Sequence, residues 1–342
     1  MMPKDDHYVI IGNGPAGNSA ADTLRKEDPE AKITLISDEK SLYYYKHRVP
    51  LYTVGGCEPE DLSIRPYRSY LENRIRLRLG QRVEKVVPAE KLLYLNHMEK
   101  VHYTKLILAV GASARRLPNH AGFADHLYCL AGLDDARRVR KAMMAASRLV
   151  VLGGDLISMG FAREARKAGK EVVFILYSSL FWPVSLKEEI QQSVTKRLNS
   201  LGVKVMSDAE PVTDVRPEGE GYTLTLPDGE EMSTDLVLSF FGSVPNIRFL
   251  VGSGINTEKG VLVDHLMRSN QEDVYACGDC AQIYNPELKD YWVSVGWGNA
   301  EAQGELTAMN LLGREKVIDY QPKEIFEMDG VTIRTSWWKT FA

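Results

Sequence analysis

His7-Tyr8-Val9-Ile10-Ile11-Gly12-Asn13-Gly14-Pro15-Ala16-Gly17, continuing as NSAADTLRKEDPEA to Lys32-Ile33-Thr34-Leu35-Ile36-Ser37, is the stretch that decides the fold. Residues 7–11 are an unbroken apolar run, as expected of a parallel strand covered by helices on both faces. A glycine-rich turn follows at once, then an Ala/Leu-rich helix (NSAADTLRKED) and a second strand over Lys32–Ser37, so the run predicts a βαβ unit. In the turn Gly12-Asn13-Gly14-Pro15-Ala16-Gly17, Gly12 suits the tight bend. Gly14 lets the backbone approach a pyrophosphate, and Gly17 lets helix and strand pack closely. The helix N-terminus then presents free N–H groups to phosphate. Asp38 and Glu39 lie just past the second strand, where a carboxylate can accept hydrogen bonds from a ribose. The rival reading is a purely structural glycine turn. Strand, helix, second strand and acid in one run favour a bound dinucleotide.

A second opening of this kind runs through Arg148-Leu149-Val150-Val151-Leu152, the turn Gly153-Gly154-Asp155-Leu156-Ile157-Ser158, the helix MGFAREARKAG and the strand Lys170–Leu176. An internal repeat of two nucleotide-type domains is therefore expected. The second copy departs where its chemistry would lie. Asp155 takes the second-glycine position and sets a carboxylate beside the place of a pyrophosphate, and Ser158 replaces the packing glycine. The strand ends in Leu176-Tyr177-Ser178-Ser179 with no acid for a ribose, which argues against a preference for NAD. Arg163 and Arg166 on the following helix are the nearest cations for a phosphate.

The 342 residues favour two domains, and 44% hydrophobic with 26% charged residues is ordinary globular composition. With 42 basic and 46 acidic residues the net charge is −4, so no cationic field points to nucleic acid or an anionic membrane. Four cysteines are too few for a secreted disulfide framework. The start, MMPKDDHYVIIG, lacks the apolar stretch of a signal peptide, and no apolar run is long enough to span a bilayer. A soluble, cytoplasmic protein with small partners is expected.

GNGPAG, Leu108-Ala109-Val110-Gly111-Ala112, GGDLIS, Gly242-Ser243-Val244-Pro245-Asn246 and Val274-Tyr275-Ala276-Cys277-Gly278-Asp279 occur in that order. The set resembles the FAD-dependent pyridine nucleotide-disulfide oxidoreductase superfamily. Tyr44-Tyr45-Lys46-His47-Arg48-Val49-Pro50 and Trp297-Gly298-Asn299-Ala300-Glu301-Ala302-Gln303-Gly304 resemble its branch of rubredoxin reductases, ferredoxin reductases and the flavin portion of NADH-dependent nitrite reductase. The resemblance implies an α/β fold of two Rossmann-like, doubly wound, three-layer nucleotide-binding domains, the second inserted in the first. Residues 1–114 and 241–316 would bind FAD, 115–240 would form an NAD(P)-binding-like domain, and 317–342 a C-terminal tail in place of the usual interface domain. It also implies cofactor contacts at Gly12, Gly14, Pro15, Ala16 and Gly17, and at Glu39 for the adenosine ribose and Val83 for the adenine. Lys46, Ala109, Gly111, Gly278, Asp279 for the ribityl or phosphate region and Trp297 near the isoalloxazine complete the FAD set. Gly153, Gly154 and Gly242 would serve NAD(P)H. Each has a plainer reading: Lys46 as a solvated lysine, Asp279 as an N-cap, Trp297 as core.

The CxxxxC pair of disulfide-reducing members is absent after the first βαβ unit. Where relatives that reduce coenzyme A disulfide or peroxide place a cysteine, this chain has His47, a candidate proton donor or an ordinary loop histidine. Cys277 and Cys280 form a CxxC by count, but no second pair completes a zinc site, and the FAD turn already uses Gly278-Asp279. No metal is expected. The leading expectation is an FAD-dependent oxidoreductase passing electrons between NAD(P)H and a protein or small-molecule acceptor such as rubredoxin or ferredoxin. The alternatives are an FAD-containing electron-transfer subunit that no longer binds NAD(P)H, and an FAD-stabilised binding module. The Trp337-Trp338 tail is read as a strand packed on the FAD domain or as a partner patch.

Overall fold

The computed structural model describes residues 6–116, 122–177, 188–207 and 211–318, with backbone strands at Ile325–Met328, Val331–Arg334 and Trp338–Lys339. The opening run folds as β1 (His7–Ile11), α1 (Pro15–Glu27) and β2 (Lys32–Ile36). The helix starts three residues earlier than its Ala/Leu-rich stretch because Pro15 sits in the first turn, where its fixed φ suits a helix and its missing N–H costs nothing. It ends at Glu27, and Asp28 before Pro29 leaves the helical region. β3 (Ile75–Arg78) and β4 (Lys105–Leu108) extend the sheet around β1.

The repeat continues with α2 (Val49–Thr53) and α3 (Leu133–Ala145) outside it, then β5 (Arg148–Gly153), α4 (Leu156–Lys167), β6 (Glu171–Leu176), β7 (Lys204–Ser207) and β8 (Leu236–Phe240). β9 (Val274–Ala276) returns to the first sheet, and α5 (Trp297–Leu311) follows. The first sheet is parallel in the order β9-β4-β1-β2-β3, and the second is parallel in the order β8-β5-β6-β7. β1 lies between β4 and β2 as β5 lies between β8 and β6, so the two copies share strand order as well as motif.

Each copy also carries a three-stranded antiparallel meander before its fourth strand. The first is built from Val83–Val87, Leu92–Leu95 and Lys100–His102, the second from Asp214–Glu218, Gly221–Thr225 and Glu231–Thr234. The chain leaves the first sheet and returns to it along one antiparallel pair, Ala112–Ala114 with Ser243–Pro245. Trp338 pairs with Val293 through the backbone, which is the strand alternative for the tail; Trp337 lies outside the described residues.

Two packing features position the site. First, α1 and α5 cross with backbones nearly touching, since a Cβ on Gly304 would overlap the carbonyl of Ala16. Second, Tyr44, Val49, Tyr52 and Leu62 are buried in the same apolar cluster as α3, α4 and β8. Arg140 of α3 fixes this seam by donating to the Cys57 carbonyl and to Glu58, with its guanidinium over the Tyr52 ring. The segment carrying Lys46 and His47 is therefore held against the second sheet and its helices. Among the described residues no helix is long and apolar enough to cross a membrane.

Candidate dinucleotide site

The first glycine turn meets its geometric requirements residue by residue. Gly12 has φ +120°, and a Cβ there would overlap the Ala109 carbonyl at the end of β4. A Cβ on Gly17 would overlap the Gly12 carbonyl. Gly14, the N-cap of α1, differs: a Cβ there meets nothing within 4 Å, and no side chain caps the helix. The amides of the first turn of α1 thus face an open seat of the kind a diphosphate fills. Behind the turn, Tyr70 donates to Oδ1 of both Asn13 and Asn18 at 2.9 Å, and Asn18 donates to Asn13 Oδ1 at 2.9 Å. Asn13 Nδ2 is buried with no hydrogen-bond partner among the described residues. Arg65, 7% exposed, lies over the Tyr70 ring and reaches Asn18 and Asp22. The sequence reading missed this network. An Asn inside the glycine motif with a second Asn five residues later is the signal that marks it.

Gly278, φ +74°, lies against Ala16 of α1, where an added Cβ would come within 3.1 Å of the alanine methyl. Gln303 of α5 accepts from its N–H at 2.8 Å, and so Asp279 is brought to the α1 turn. The Asp279 carboxylate accepts from the Gly296 N–H at 3.2 Å at the start of α5, and burial pushes its carboxyl above the ordinary range. The ammonium of Lys46 opposes that shift from across the cleft. Lys46 also reaches Glu39 at 3.4 Å, and Tyr44 donates to the same carboxylate at 2.9 Å. Tyr44 in turn accepts from the Leu133 N–H at the start of α3. Asp38, the other acid past β2, pairs with Arg82. Val83 follows directly and opens the meander, while Gln81 donates its N–H to the Ser37 carbonyl. Ala109 donates to the Ile11 carbonyl, and Gly111, φ +59°, has open space where a Cβ would stand.

Trp297 is the first residue of α5. Its ring stacks on Tyr43 at 5.4 Å and 9°, meets Tyr45 at 5.9 Å and takes His47 edge-on at 5.6 Å, while its indole N–H donates to Glu301 at 2.9 Å. Tyr43, Tyr45 and Glu301 were not singled out from sequence, although the Tyr43-Tyr44-Tyr45 run and the i,i+4 spacing of Glu301 from Trp297 carry the signal. Burial and the neighbouring Arg48 hold His47 below its ordinary pKa. The shift disfavours the charged imidazolium, which weakens the proton-donor reading. Cys277 and Cys280 are free and fully buried, and burial pushes both thiols up, that of Cys280 to about 11. Buried, protonated thiols are poor nucleophiles, which argues against redox work by the CxxC pair.

The second turn shares the backbone of the first and not its seat. Gly153 has φ +130°, and a Cβ on it would overlap the Phe240 carbonyl at the end of β8, as Gly12 does with Ala109. Gly154 donates to the Phe240 carbonyl at 3.1 Å. At the position of Gly14 stands Asp155, the N-cap of α4, whose Oδ1 accepts from the Ser158 N–H at 2.8 Å. Burial raises its carboxyl, and the Ser158 N–H bond opposes the shift. Tyr177 directly follows β6; it is buried against Phe241, and its oxygen accepts from the Val212 N–H. Ser178 and Ser179 lie outside the described residues. Arg163 and Arg166 are about 10 and 15 Å along α4 from its start, at 1.5 Å per residue, and bond Glu164 and the Lys170 carbonyl. Neither is a phosphate ligand for this turn.

Two parallel sheets with matching glycine turns, one with an open phosphate seat flanked by an acid and a helix start, define a two-dinucleotide-fold flavoprotein. The comparisons agree: the chain belongs to the pyridine nucleotide-disulphide oxidoreductase family, whose model matches residues 6–304. The family is one of FAD-binding, NAD(H)-dependent reductases. The rubredoxin-NAD(+) reductase of Acinetobacter baylyi is 31% identical over 80% of this chain and 72% of its own length. Putidaredoxin reductase of Pseudomonas putida is 29% identical over 92% and 76%. Among solved structures, a ferredoxin reductase from Rhodopseudomonas palustris matches at TM-score 0.83 and 27% identity over 92% of this chain and 78% of that one. The covalent putidaredoxin reductase-putidaredoxin complex shares the fold at TM-score 0.85 and 24% identity, over 94% and 78%.

Proposed function

We propose that this chain is an FAD-dependent oxidoreductase passing electrons between NAD(P)H and an electron-carrier protein of the rubredoxin or ferredoxin kind. The observation that carries the reading is the open seat at Gly14, toward which the start of α1, Asp279 and the start of α5 converge. FAD bound there would supply a ring that takes hydride from nicotinamide and releases electrons singly or in pairs. Residues 1–114 with 241–316 form the unit that holds it. The α1 amides and Gly12, Gly14, Pro15, Ala16 and Gly17 cradle the diphosphate. Glu39, Val83, Ala109 and Gly111 line its adenosine side and its crossing. Gly278 and Asp279 hold the ribityl chain, with Lys46 compensating charge, and Trp297 with Tyr43 and Tyr45 forms the aromatic wall. Gly153 and Gly154 of the inserted unit 115–240, with Gly242 just beyond its end, shape the nicotinamide-nucleotide side.

Anaerobic addition of NADH or NADPH should bleach the flavin band near about 450 nm, and the reduced protein should then reduce an added rubredoxin or ferredoxin. Colour that persists at millimolar concentrations of both nucleotides contradicts the nicotinamide half of the reading. One observation favours a second reading, an FAD-containing subunit fed by a partner protein: the carboxylate of Asp155 on the α4 amides. Flavin that is reduced by a carrier protein and by neither nucleotide would identify that case.

A further inference from the structure

We infer that Asp155 is the specificity-determining residue of the second turn, an internal anion that occupies the diphosphate seat of α4 and sets how tightly the chain takes a nicotinamide dinucleotide. The inference rests on the proposed NAD(P)H-linked function and deepens it.

The comparison between the two copies carries the argument. Both turns begin on a glycine of positive φ packed against the carbonyl at the end of the neighbouring strand, Gly12 on Ala109 and Gly153 on Phe240. Both lead into a helix whose N-cap is the third residue of the turn. At Gly14 that N-cap leaves the helix amides uncapped by any side chain. At Asp155 the carboxylate takes the Ser158 N–H in the first turn of α4, one of the donors a phosphate would need. Ser158 closes the motif by donating its hydroxyl back to the Asp155 carbonyl at 2.5 Å. The obstacle to a phosphate here is the carboxyl already seated on the helix start. A dinucleotide diphosphate must share this helix start with the Asp155 carboxyl or displace it.

The test uses the FAD-loaded protein and NAD+, a probe that does not reduce flavin, with affinity read by calorimetry. Asp155→Asn keeps a good N-cap and removes the charge. Asp155→Gly restores the pattern of the first turn, and Asp155→Glu keeps the charge. FAD content and melting temperature report folding for each. The expected result is that the Asn and Gly variants bind NAD+ about tenfold tighter or more, 1.4 kcal/mol per factor of ten, whereas the Glu variant does not. Equal affinity across all four proteins overturns the inference while leaving NAD(P)H as reductant. A gain in the Glu variant matching that of Asn overturns it because charge is then not the cause. Absence of binding in every protein overturns it as well. Tighter NAD+ binding in the Asn variant, with flavin still refractory to NADH, supports the role of Asp155 and refutes the nicotinamide half of the proposed function.

Discussion

Copying the second turn into the first by Gly14→Asp would convert an open phosphate seat into a closed one. Sterically the substitution is free, since a Cβ at Gly14 meets nothing within 4 Å. It is also favourable for the helix, because Asp is a better N-cap than Gly by a few tenths of a kcal/mol. The apoprotein should therefore melt where the wild type does, or slightly higher. The cofactor diphosphate would then lie about 4–5 Å from a carboxylate. At an effective dielectric of about 20 each unit charge costs about 3–4 kcal/mol, or about 100- to 1000-fold in affinity. Titrating apoprotein with FAD and following the quenching of flavin fluorescence measures that loss directly. An FAD affinity within about threefold of wild type, in a variant with unchanged stability, would refute the placement of the diphosphate on α1.

Gly17→Ala, whose methyl group would overlap the Gly12 carbonyl, should cost about 1–3 kcal/mol of stability or more even without cofactor, measured by urea unfolding; a neutral effect would mean that the turn is looser than described. The Asp279 carboxyl is raised above 3.8 by burial, so ionisation opposes folding of the apoprotein increasingly as pH rises from the unfolded value through the folded one. Asp279→Asn apoprotein should accordingly be more stable than wild type near pH 7, with the gap closing near about pH 4, and it should bind FAD more weakly; a gap independent of pH would contradict the assignment of the shift to desolvation. A thiol reagent applied to native protein should label Cys57 alone, because Cys129, Cys277 and Cys280 are buried, and fast labelling of the CxxC pair would reopen a redox role for it.

The parts of the fold legible in the sequence are those whose signal is local. Residues 7–37 and 148–176 show strand, glycine turn and helix within a single run, and Gly12, Gly17 and Gly153 answer steric demands set a few residues away or by the adjacent strand end. Asp155 is readable for the same reason, since an acid at a helix N-cap is a one-residue statement. The two meanders are not, because strands such as Val83–Val87 and Glu231–Thr234 are short and mix exposed with buried positions irregularly. Nor is the seam that buries Tyr44, Val49, Tyr52 and Leu62 against α3 and α4, whose partners lie far along the chain. The same distance hides the engagement of Glu39 by Tyr44 and Lys46, and the aromatic wall around Trp297, in which Tyr43, Tyr45 and His47 come from another segment.

The most direct measurement is the flavin content of the purified protein, released by denaturation and compared with the protein concentration. FAD is expected in equimolar amount, non-covalently held, with FMN unable to replace it because the adenosine half contributes to binding at the first turn. A folded, colourless protein that takes up no FAD on incubation would contradict the account at its root.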